Sequence, residues 1–154
     1  MWPVDEFEQL VKVFVRLKPD ADSRTEHWWA DAESLWAFPL GEDAYELRNI
    51  PWETDALHHR DIVRCRPSED GRLQVVDVLK PGGHATLRVT FADSVAADRL
   101  NETVQQLEAL VGFAERISDH DWAFDINPNG DLGGARALVS ELESDGVLVE
   151  TAVT

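Results

Sequence analysis

The residues that could do chemistry lie in a few short stretches. In "DINPNGDLGGAR", oxygen-bearing side chains recur at alternate positions, Asp125, Asn127 and Asn129, ahead of Gly130, where calcium-binding loops turn sharply. Such loops take further ligands at alternate positions and close with a bidentate Glu at the twelfth. Here the twelfth residue is Arg136, a cation in place of the strongest ligand, and Pro128 stiffens the fourth. The same letters read as structure: Asp125 ends a strand, Pro128-Asn129-Gly130 turns, and Asp131 caps the next helix by accepting a backbone N–H. The expectation is that no metal binds there, the only other route being a non-EF site borrowing Glu141 or Glu143.

Imidazole titrates near neutral pH, so "HHRD", His58 to Asp61, offers either metal ligation or acid–base work. Adjacent histidines point apart on a strand, and none of His27, His58, His59, His84 and His120 has the i, i+4 spacing that pairs two rings on a helix. His58 and His59 therefore read as an exposed loop pair. His84 follows Pro81-Gly82-Gly83, read as a tight hairpin turn across which the ring bonds. Cys65 shares a strand face with Val63 in "DIVRCRP" and reads as a small core hydrophobe rather than a nucleophile. Gly-x-Ser-x-Gly, phosphate-loop and dinucleotide patterns are all absent, and Gly133-Gly134 lacks the Lys-Ser/Thr of a phosphate loop.

Tryptophan completes the list. Trp28 and Trp29 follow the polar run "KPDADSRTEH", so either a ring faces solvent as a protein-binding anchor or one closes the end of a barrel. With Trp52 and Asp55, and with His58, His59, Asp61 and His84, they form the set of candidate binding residues. No residue is assigned a catalytic role, and no cofactor is expected.

These residues need elements to position them. In "LVKVFVRLK", Val11, Val13, Val15 and Leu17 alternate with Lys12 and Arg16, the period of a half-buried strand. "ESLWAFPL", "AYELRNI", "DIVRCRP", "RLQVVDVLK" and "ATLRVTF" follow, separated by turn chemistry. After Asp93, Leu100, Val104, Leu107, Val111, Ala114 and Ile117 recur at helical spacing. "DWAFDIN" reads as a strand, residues 131–145 as a helix stopped by Gly146, and "VLVETAV" as a closing strand. The predicted fold is α+β: an antiparallel meander or small barrel on a ferredoxin-like β-α-β-α-β unit. Residues 1–92 are mostly β and 93–154 α/β within one compact domain, with "ATLRVTF" shared between the two parts.

Composition bounds the partners. The 154 residues carry 30 Asp and Glu against 14 Lys and Arg, a formal charge of −16. That field repels phosphate backbones and anionic lipid and attracts basic proteins. Nucleic acid and membrane are thus unexpected, and a basic protein is the expected partner. A hydrophobic content of 44% with six Trp supports a packed core. One cysteine excludes an intrachain disulfide, and "MWPVDEFEQL" has neither the basic nor the apolar segment of an export signal, so a cytoplasmic location is expected.

Leu35-Trp36 before Pro39-Leu40-Gly41, then Tyr45, Asn49-Ile50-Pro51, Asp61 with Val63, Gly83-His84-Ala85-Thr86 and the later "WAFDINP" with its helix resemble the bacterial family catalogued as domain of unknown function 4265. Two positions depart: Arg60 stands where the family carries Gly, and an aromatic pair after the proline is reduced to Trp52-Glu53. The resemblance implies an α+β domain and brings no established activity. Two functions remain in view. One is a non-enzymatic binding module for a basic protein, as immunity or inhibitor proteins are for toxic nucleases. The other is a small enzyme or ligand-binding domain using His58, His59, Asp61 and His84. The lack of any catalytic spacing favours the first.

Overall fold

Runs with period two become strands when one face has a core to cover. The structure, a computed structural model, describes residues 9–17 and 32–154. Trp28, Trp29 and His27 lie outside the described residues. The chain divides into two units, the first ending at Gly82 and the second beginning at Gly83.

The first unit is a closed barrel of β1 (Val11–Arg16), β2 (Ala32–Gly41), β3 (Ala44–Leu47), β4 (Ile62–Pro67) and β5 (Leu73–Lys80). Successive strands pair antiparallel, and β1 closes the ring by lying parallel to β5, with Val13 opposite Leu73. Closure removes the free edges an open meander would leave. Val13, Val15, Leu35, Ala37, Leu47, Val63 and Cys65 point inward, and Leu57 joins them from the long β3–β4 loop. Between β2 and β3 the turn residues Glu42 and Asp43 both take positive φ, 53° and 66°. That is the mirror-image turn whose twist matches the flanking strands.

The second unit runs β6 (Ala85–Phe91), α1 (Ala97–Val111), β7 (Ala114–Arg116), β8 (Asp121–Ile126), α2 (Leu132–Ser144) and β9 (Leu148–Val153). Its sheet has the order β7-β8-β6-β9 with every neighbour antiparallel. Leu87, Val89 and Phe91 of β6 and Phe124 and Ile126 of β8 form one core with Leu100, Val104, Leu107 and Val111 of α1 and Ala135, Val139 and Leu142 of α2. Asp131 caps α2 by accepting the Gly134 N–H at 2.8 Å. A Cβ on Gly134 would collide with that carboxylate, so the glycine inside a helix belongs to the cap.

Three expectations change. The strand "ATLRVTF" is β6 and pairs with β8 and β9, so it belongs to the second unit and is not shared with the barrel. Pro81-Gly82-Gly83 is accordingly no hairpin turn, because β5 pairs only with β1 and β4 among the described strands. The helix read through Ala114 and Ile117 stops at Val111, and Ala114–Arg116 is instead β7, making the order β-α-β-β-α-β. Gly112 causes the break: a Cβ there would lie 2.5 Å from the Asp125 carbonyl oxygen, so the chain leaves the helix by passing against β8. No helix of the described residues is long and apolar enough to cross a membrane.

Candidate functional site

Five of the eight candidate residues, Trp52, Asp55, His58, His59 and Asp61, fall in or at the end of the loop joining β3 to β4, residues 48–61. Loops this long without regular structure are uncommon in compact units and are often binding elements. Its two feet are closed by backbone bonds, Leu47 N–H to the Asp61 carbonyl and Arg60 N–H to the Leu47 carbonyl, each 2.9 Å. Ile50, Pro51 and Leu57 are buried, and Leu57 packs into the barrel core.

Two carboxylates fix the rest. Glu33, on β2, accepts three consecutive backbone N–H groups: Trp52 at 2.5 Å, Glu53 at 3.0 Å and Thr54 at 3.0 Å. Successive amides converging on one anion form a nest, here filled by a side chain of the same chain. Asp61, 3% exposed, accepts the N–H of His58 at 2.9 Å and of Gly82 at 2.8 Å. Asn49 adds a third tie, its side-chain oxygen accepting the Trp36 N–H at 2.6 Å. Gly82 must be glycine, since a Cβ there would lie 2.5 Å from the Arg60 carbonyl oxygen. Arg60 takes φ +74°, a conformation costly for a side-chain-bearing residue, while its guanidinium meets Glu46 at 2.8 Å.

This arrangement corrects the reading of "HHRD" as an exposed pair. His59 is buried at 3% exposure and His58 is half-buried. Each carboxylate oxygen of Asp61 accepts a backbone amide, which suits fastening a loop. Within the loop Trp52 is half-buried, and Glu53, Asp55 and Ala56 are exposed.

His84 belongs to the second unit, and the partner its ring meets is on β8, 41 residues along the chain. Its Nδ1 meets both carboxylate oxygens of Asp125, at 2.8 and 2.9 Å, and Asp125 is 1% exposed. A carboxylate on Nδ1 sets the tautomer that leaves Nε2 as the basic nitrogen, a geometry used by general bases and metal-bound histidines alike. The alternation of "DWAFDI" contained the signal: Asp125 falls with Ala123 on the sheet face opposite Trp122, Phe124 and Ile126. The other letters of the calcium-like stretch have structural uses. Asn127 accepts the Gly130 N–H through its carbonyl at 2.8 Å, Asp131 is the helix cap, and Arg136 is exposed.

Cys65 is in the barrel core. Burial, and next the nearby Asp43 carboxylate, push its thiol up to about 12, so it stays protonated and poorly nucleophilic.

The family described as Domain of unknown function (DUF4265) matches residues 33–149, most of the chain, and the protein belongs to it. Both units lie largely within that match. A solved structure described as "Novel crystal structure of a hypothetical protein from Neisseria gonorrhoeae" is similar, with a TM-score of 0.66 and 15% identity over 90% of each chain. At that identity the likeness is one of fold. No curated protein matches the sequence.

Proposed function

We propose that this protein is a non-enzymatic, cytoplasmic binding module that captures a positively charged protein, in the manner of immunity or inhibitor proteins that neutralise a basic toxic partner. The observation that carries this reading is the 48–61 loop, whose Trp52, Glu53 and Thr54 amides are gathered on Glu33 and which carries a half-buried Trp52 next to the exposed residues Glu53 and Asp55. A loop already fixed in its bound shape loses little entropy on docking, and a tryptophan at an interface centre is the commonest kind of energetic anchor. The net charge of −16 adds attraction at long range. To test it, the partner is isolated from the source cell and its affinity compared for wild type and Trp52→Ala. A basic partner whose affinity falls at least tenfold is expected, with amide exchange of the loop unchanged. An acidic partner, or one indifferent to Trp52→Ala, overturns the proposal.

The His84–Asp125 pair favours a second reading, a ligand-binding or catalytic role for the second unit. Its test is His84→Gln, which removes Nδ1 from the carboxylate; that reading requires loss of ligand binding with the fold retained.

A further inference from the structure

The C-terminal end of α1 is concave. Glu108, Ala109, Leu110, Val111 and Gly112 form one wall of a notch of about 280 Å³, and Asn127, Asn129 and Gly130 form the other. A second hollow of about 350 Å³, lined by Glu102, Gln105, Gln106 and Ala109, continues along the same helix. Each is at or below the small end of ordinary ligand pockets, which run roughly 300–1,000 Å³, so each suits one long side chain rather than a cofactor.

The chemistry of the walls is one-sided. No Lys or Arg occupies the last turn of α1, although the partial negative charge of a helix C-terminus favours one there. Glu108 is half-buried, and neither it nor Glu102 makes an ion pair with any described residue. The surrounding unit is acidic, with thirteen Asp and Glu against four Arg in residues 83–154. A divalent cation is poorly served, because calcium takes six to eight oxygens at once. Asp125 is bound to His84 and Asp131 to its helix, leaving Glu108 as the only carboxylate lining the notch among the described residues. A planar guanidinium fits better: it carries one charge and five N–H donors, which a carboxylate and the side-chain oxygens of Asn127 and Asn129 can share.

We infer that the notch between the end of α1 and the Asn127–Gly130 turn is a receptor for an arginine side chain of the basic partner. This rests on the reading that the partner is a basic protein, and it names where on the second unit one of its cations is held. An arginine seated there supplies the cation that the last turn of α1 lacks.

The experiment titrates the intact, nitrogen-15-labelled protein with N-acetyl-arginine methylamide and follows the backbone amides by NMR. The neutral citrulline analogue and calcium chloride serve as separate arms. Saturable shifts confined to Gly112, Asn127, Asn129 and Gly130 are expected with the arginine compound and absent with citrulline. Glu108→Gln should weaken binding roughly tenfold or more, as loss of a charge-assisted contact does. Glu141→Gln, on the exposed side of α2, should leave it unchanged. Shifts scattered over the acidic surface, equal binding by Glu108→Gln, or the same amides responding to calcium instead would overturn the inference. Capture of a basic partner together with a failed titration overturns the notch alone. An intact titration together with an acidic partner overturns the proposed function alone.

Discussion

Replacing Glu33 by Ala removes the one acceptor shared by three backbone donors of the 48–61 loop. Each hydrogen bond to a charged group contributes about 1.5–3 kcal/mol, but an exposed donor that loses its partner recovers most of that from water. Glu53 is exposed and Trp52 half-buried, so their N–H groups are re-solvated, whereas Thr54 is 9% exposed and its amide is left facing protein. The cost is therefore governed by one buried donor plus a residue from the other two, about 2–3 kcal/mol. Because the loss is local, amide exchange is the direct assay. Protection of Trp52, Glu53 and Thr54 should fall while that of Val13 and Val63 in the barrel core stays within a few-fold of wild type. If the whole barrel unfolds with the loop, the melting temperature should drop by about 4–12 °C, taking 2–4 °C per kcal/mol for a chain of this size. Glu33→Gln, which keeps an acceptor oxygen but places an N–H₂ among donors, should fall between the two. Unchanged exchange at all three amides in Glu33→Ala would refute the nest as the element that holds the loop.

Arg60→Gly should leave stability within about 1 kcal/mol of wild type, because relief of the left-handed conformation offsets the lost Glu46 pair, whereas Arg60→Ile should destabilise by about 1–2 kcal/mol; denaturant titration decides. Cys65 should resist iodoacetamide at pH 8 in the folded protein and react fully in guanidinium chloride, and rapid native labelling would contradict its raised pKa. Asp121 is held below the usual carboxylate range by the hydroxyls of Thr90 and then Ser118. Its stabilisation is thus present above the unfolded value, about 3.9, and disappears as pH falls through the depressed folded value. Asp121→Asn should flatten the acid limb of the stability curve, and an unaltered limb would remove that role.

Much of the fold was legible because its signals are local. Alternation located the strands, the Leu100, Val104, Leu107 and Val111 stripe located α1, and Asp131 and Gly146 marked the limits of α2. Barrel closure was not legible, since it depends on β1 meeting β5 across some sixty residues of chain. The end of α1 was misplaced because Gly112 within an apolar stripe resembles a tolerated helix glycine until β8 is seen against it. The candidate site was half visible. Trp52, Asp55 and Asp61 stood out by type, but Glu33 has no distinguishing neighbours and meets amides 19 to 21 residues away. The His84–Asp125 pair spans 41 residues, and only the face on which Asp125 falls hinted at it.

The central claim is that a clasped, acidic, tryptophan-bearing loop captures a basic protein, and binding kinetics against the isolated partner test it most directly. Association should slow as ionic strength rises towards physiological, where exposed charges are screened beyond about 8 Å, and should slow again in Glu53→Gln with Asp55→Asn. Dissociation should barely respond to salt yet accelerate roughly 30-fold in Trp52→Ala, the consequence of losing about 2 kcal/mol at an anchor. An association rate that ignores salt, with a dissociation rate that ignores Trp52, would contradict the account.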